Sequence, residues 1–179
     1  MPYTPYHFGP SGFVGLLFRK RLDLPVFVLA NVVVDIEVLI INWFELGIPT
    51  HRYAHTLLIG AVVGVIWAAA AYPFRKVFRK IMRFIRLSYE TSFLKMVISG
   101  ILGVWLHVLL DSIYHYDVRM FWPSRARPLW RLLSHSQVKT VCLISFAGAV
   151  IVYLVLAMAY NKSKKLPSEN SANEKEQAK

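Results

Sequence analysis

A single cysteine, Cys142, stands among 179 residues. That excludes an intrachain disulfide and a cysteine-based zinc site, and Cys142, within an apolar stretch, is expected only to pack. Acidic side chains are also scarce, ten against 21 Lys and Arg. The chain has no Gly-rich phosphate loop and no serine-nucleophile motif, which argues against phosphate-cradling loops and serine-based hydrolysis. No basic segment precedes the first apolar stretch, so a cleaved signal peptide is not expected.

What is abundant is apolar sequence. The chain is 56% hydrophobic with a mean hydropathy of +0.44, both high for a soluble domain. Residues 56–74 and 140–161 carry no charge, and each is long enough to cross a bilayer, which takes about 20 residues. Residues 24–44 are interrupted only by Asp35 and Glu37, and residues 96–113 only by His107 and Asp111. The pattern predicts an all-α, polytopic membrane bundle with spanning helices near 25–42, 51–73, 92–115 and 138–160. Residues 10–20 predict a helix of about 16 Å, too short to span. Residues 74–90 place Phe74, Val77, Phe78, Ile81, Phe84 and Ile85 among six basic residues at helical spacing, the mark of an interfacial amphipathic helix on an anionic leaflet. One membrane domain, 1–160, is expected, followed by a disordered hydrophilic tail, 161–179.

A net charge of +11 raises the question of nucleic acid, but the placement of charge points to lipid. Fourteen of the 21 basic residues lie at 19–21, at 75–86 or after Asn161. Alternating helices put all of these on one side, which the positive-inside rule makes cytoplasmic. The expected partners are membrane lipids and a small-molecule or lipid substrate, not nucleic acid. The expected location is the cell membrane, with the tail inside and loops 43–50 and 117–136 outside. Nothing in the sequence sets an oligomeric state.

Four clusters of ionisable residues interrupt the apolar background: His7, Asp35 with Glu37, His51-Arg52-Tyr53-Ala54-His55, and His107-Val108-Leu109-Leu110-Asp111. Such groups are costly in hydrocarbon and mark function there. On a helix starting at His51, His51 and His55 share a face about 6 Å apart. His107 and Asp111 repeat that spacing, with His115 one turn further. Asp35 and Glu37, two apart, cannot both face one centre on a helix, so one is expected to bind metal and the other to support it or act as base. His7 precedes Arg19 by twelve residues and Asp35 follows Asp23 by twelve. A hairpin at 19–23 therefore sets the two at one depth, roughly 18 Å from the turn. All candidates fall in the outer half of the bilayer. His7, Asp35, His51, His55, His107 and Asp111 are the expected ligands, for Zn²⁺ first and Mn²⁺ or Fe²⁺ otherwise. Structural ion pairs or a proton path are the alternatives.

The order of these elements, together with Trp122-Pro123, resembles the YdjM-like family of predicted membrane-bound metal-dependent hydrolases, over residues 7 to about 123. The family's ligand pattern is distantly similar to that of zinc-dependent phospholipases C. The chain departs from it at Val34, where the family often has Pro, and at Glu37, where it usually has Asp. The resemblance implies a metal-dependent hydrolase.

A bound divalent ion suits hydrolysis, with a spare carboxylate, Glu37 or Asp111, as general base. Arg52 and Arg119 are the candidate contacts to a phosphate-bearing substrate. Arg125, Arg127 and Arg131 suit headgroup anchoring equally. A transporter of protons, ions or metal would need an inward polar path, which the third and fifth helices barely offer. A non-catalytic haem-binding protein would leave Asp35 and Asp111 without a role.

Overall fold

The computed structural model of the chain describes residues 4–45, 47, 50, 51 and 53–177, apart from the side chains of 4 and 163–177. Six α-helices follow one another: α1 (Phe8–Leu17), α2 (Leu24–Trp43), α3 (Leu57–Ala71), α4 (Arg75–Phe84), α5 (Phe93–Tyr114) and α6 (His135–Gln177). Short 3-10 turns occupy Thr4–His7 and Tyr72–Phe74, and no strand occurs among the described residues. The all-α membrane bundle read from hydropathy is the fold found. Leu24–Trp43, Leu57–Phe84, Phe93–Tyr114 and His135–Lys162 are long and apolar enough to cross a membrane. The short α1 and the basic α4 complete the set.

Local chemistry sets the helix starts. Asp23 caps α2 by accepting the Val26 N–H, Thr56 caps α3 by accepting the Ile59 N–H, and Ser92 caps α5 by accepting the Lys95 N–H. Pro25 sits in the first turn of α2, where its missing N–H costs nothing.

The cap at Thr56 corrects one expectation. The third helix begins at Leu57, so His51 and His55 stand on the loop before it and share no helical face. The last helix is described as far as Gln177.

α5 is the central element, packed against α3 on one side and α2 on the other, while α1 lies against α6 and α2. The α3–α5 contact is close because Gly64 meets Gly100 backbone to backbone, and Gly103 lies against the Phe27 carbonyl of α2. Two tryptophans tie the helices further, Trp67 Nε1–H to the Val26 carbonyl at 3.0 Å and Trp105 Nε1–H to the Leu57 carbonyl at 2.9 Å. Ala30, Val34, Val104 and Val108 form a fully buried apolar floor between α2 and α5.

At the end carrying Arg19 to Arg21 and α4, a buried Asp23 binds the α1–α2 turn to the segment before α5. Its carboxylate accepts from the Tyr89 and Thr91 hydroxyls, and its N–H donates to Ser99 Oγ at 2.6 Å. Burial and the Asp23 carboxylate push the Tyr89 phenol above its ordinary range. This turn aims α1 back alongside α2, which fixes where His7 ends up.

Candidate metal centre

Five imidazoles converge on one carboxylate. Asp111, on α5 and 2% exposed, has His107 Nε2 at 3.0 Å, His55 Nε2 at 3.7 Å and His51 Nε2 at 3.9 Å from Oδ2. Its Oδ1 has His7 Nε2 at 3.1 Å and His115 Nε2 at 3.9 Å. Asp35 of α2 joins from the opposite side, 3.3 Å from His107 Nε2 and 3.7 Å from His55 Nε2. The hairpin argument holds: His7 and Asp35 reach the same cluster from α1 and α2.

Each donor reaches its place for a local reason. His107, Asp111 and His115 stand one turn apart along α5 and at its C-terminus, so their side chains stack on one face. His7 precedes α1, held where Ser11 Oγ–H donates to its carbonyl at 2.7 Å and itself accepts from Asn31 Nδ2 at 2.9 Å. His51 and His55 are placed by carboxylates that bind the loop backbone. Glu37 accepts the N–H groups of Tyr53 and Ala54 at 2.9 and 3.1 Å and lies 3.1 Å from His55 Nδ1. Asp117 accepts the His51 N–H at 3.1 Å and sits 2.9 Å from His51 Nδ1. In both cases the carboxylate holds Nδ1 and turns Nε2 toward Asp111, the arrangement that orients metal-binding histidines.

Glu37 and Asp111 are the candidate general bases by sequence, and the geometry engages both elsewhere. Glu37 is committed to three partners in the His51–His55 loop, while Asp111 is the hub of the cluster. Of the two roles open to the second carboxylate of the Asp35–Glu37 pair, supporting the first fits these bonds. Asp117 is a residue that sequence reasoning missed. The available signal is that it is the only acidic side chain in a loop, 117–136, with four arginines. Burial alone would raise the Asp117 carboxyl, but the His51 imidazole and N–H hold it well below the usual carboxylate range. Burial pushes the His115 imidazole down to about 4, which keeps it neutral.

The donor set fits a metal ion. One oxygen or nitrogen each from Asp35, His55, His107 and Asp111 lie within 4.8 Å of one another. Metal–ligand bonds of about 2.0–2.1 Å in a tetrahedron imply ligand separations of roughly 3.3 Å, the scale of the 3.0–3.7 Å found here. His55 Nε2 and His107 Nε2, which face this set, are buried and make no hydrogen bond. Buried polar atoms are nearly always paired, and two left unpaired facing one point are lone pairs uncommitted to protein donors. A second group, His51, His115 and Asp117, lies alongside.

Above the cluster is a cleft of about 350 Å³ lined by His51, Tyr53, Tyr116, Asp117, Arg119, Trp122 and Arg127. Arg119 lines the cleft, whereas Arg52 lies outside the described residues. Arg127 stacks on the Tyr116 ring at 4.0 Å, and its hydrogen bond and charge lower that exposed phenol. Arg131 is turned onto the Trp130 ring at 5.5 Å instead.

Helices that cross a membrane around a buried histidine–carboxylate cluster define a multi-pass membrane protein with a polar centre able to hold a metal ion. Residues 16–167 match the YdjM inner membrane protein family, and the chain belongs to it. Neither a curated protein nor a solved structure matches the chain.

Proposed function

We propose that the protein is a membrane-embedded, metal-dependent hydrolase of a phosphoester or lipid-type substrate, with its site open at the extracytoplasmic face. The observation that carries this reading is the buried set Asp35, His55, His107 and Asp111 beneath a cleft that offers Arg119 and Arg127. Four protein donors around one point would hold a divalent ion that takes up water by expanding to five ligands, with Zn²⁺ the best match to imidazole and carboxylate. Such an ion lowers the pKa of bound water to about 7 and polarises a phosphoryl or carbonyl oxygen. No strong separate base is then required, which frees Glu37 to position His55. Arg119 and Arg127 bind the anionic part of the substrate, and the aromatic rings of Tyr53 and Trp122, 5.7 Å apart, flank its entry.

The orientation follows from charge. Arg19 to Arg21, α4 and Lys162 stand at the opposite end of the bundle from the cluster, which makes that end cytoplasmic. The exposed Phe74, with Val77, Ile81 and Phe84 of α4, then rests on the anionic inner leaflet.

The test is turnover of a panel of phosphomonoesters, phosphodiesters and carboxylesters by detergent-purified protein, with metal content measured on the same samples. Hydrolysis that needs bound metal and falls at least 100-fold in Arg119→Ala with metal retained supports the reading. A metal-loaded protein inactive on every class contradicts it.

A further inference from the structure

We infer that the centre takes two divalent ions that share Asp111, one on each carboxylate oxygen. This rests on the metal-dependent reading above and adds a second position to it. Ligand counting starts the argument. Five imidazole nitrogens and two carboxylates, Asp35 and Asp111, surround this point, whereas a tetrahedral ion takes four donors. Asp35, His55, His107 and Asp111 Oδ2 form one complete set.

His7, His51 and His115 remain; His7 and His115 face the other oxygen of the same carboxylate, and His51, 3.9 Å from Oδ2, lies beside them. His7 Nε2 lies 3.1 Å and His115 Nε2 3.9 Å from Oδ1, and the His51 ring packs on His115 at 4.2 Å with a 30° tilt. Asp111 Oδ1 is buried and makes no hydrogen bond even so close to His7, as a ligand oxygen would. The supporting shell is duplicated as well. Glu37 holds His55 Nδ1 for the first set as Asp117 holds His51 Nδ1 for the second. A carboxylate thus stands behind each loop histidine, the arrangement that orients metal-binding imidazoles. Carboxylate-bridged metal pairs clamp both the attacking and the leaving oxygen in displacement at phosphorus, which suits a phosphoester substrate.

The test is Zn²⁺ stoichiometry of the chelator-stripped, reloaded full-length protein in detergent, with Mn²⁺ electron paramagnetic resonance as a measurement that needs no variant. Wild type should bind two equivalents, and bound Mn²⁺ should give a spin-coupled signal. His7→Ala and His115→Ala should each bind one, and Asp111→Asn neither in full. One equivalent in wild type with an isolated-Mn²⁺ signal, unchanged in His115→Ala, overturns the second position and leaves the proposed function standing. No bound metal in wild type overturns both. Two equivalents retained in both His7→Ala and His115→Ala overturn the ligand assignment.

Discussion

Glu37 Oε2 lies 3.1 Å from His55 Nδ1, and the same carboxylate carries the Tyr53 and Ala54 N–H groups. One side chain of α2 thus shapes the loop and points its histidine. Glu37→Gln keeps an acceptor for the loop but loses the anionic partner of the imidazole. Metal affinity should fall about 10–100-fold, the usual effect of losing such a partner, while excess metal restores occupancy. Unchanged affinity in a metal titration would show that His55 needs no such support.

Asp23 tests whether the far end of the bundle matters to folding and not to metal. Asp23→Ala removes the α2 cap and strands the half-buried Tyr89 and Thr91 hydroxyls, while the backbone N–H bond to Ser99 Oγ remains. The expected loss is about 1–3 kcal/mol, combining a cap with the lost hydrogen bonds of two half-buried hydroxyls. Denaturation in detergent measures it, and metal stoichiometry of the folded fraction should stay at the wild-type value.

The α3–α5 seam gives a paired prediction. A Cβ at Gly100 would collide with the Gly64 carbonyl, whereas a Cβ at Gly12 would meet Ala149 at an ordinary 3.6 Å. Gly100→Val should lower stability by about 1–3 kcal/mol or more, and Gly12→Ala should be neutral or mildly stabilising. Melting temperatures of both variants decide the point; equal values would mean that the two helices do not rely on backbone contact.

Much of the bundle was legible in sequence because lipid imposes long apolar helices, and turn spacing alone put His7 and Asp35 at one depth. The helix start was not. Thr50 and Thr56 are both acceptable caps, and HxxxH is equally spaced on a helix or a loop. The choice of Thr56 depends on Glu37 and Asp117 taking the loop N–H groups from elsewhere in the chain. That is a tertiary fact with no local signature. The partner of Asp117 was hidden for the same reason: His51 lies 66 residues away. The roles of Glu37 and Asp111 depend on which lone pairs are already engaged, and spacing does not carry that information.

The proposed orientation predicts labelling. In a Cys142→Ala background, a cysteine at position 125 should react with an impermeant reagent on intact cells and one at position 80 should react only after lysis. The reverse pattern would turn the site to the cytoplasm.

The central claim is that the histidine–carboxylate cluster around Asp111 holds metal. Its most direct measurement is the metal content of wild type, Cys142→Ala and His107→Ala, purified side by side and checked for folding by circular dichroism. Cys142 is a buried packing residue, so its variant should match wild type. His107 Nε2 faces both Asp35 and Asp111, so its loss should empty the Asp35–His55–Asp111 position. A folded His107→Ala protein that keeps the full wild-type metal content would contradict the account.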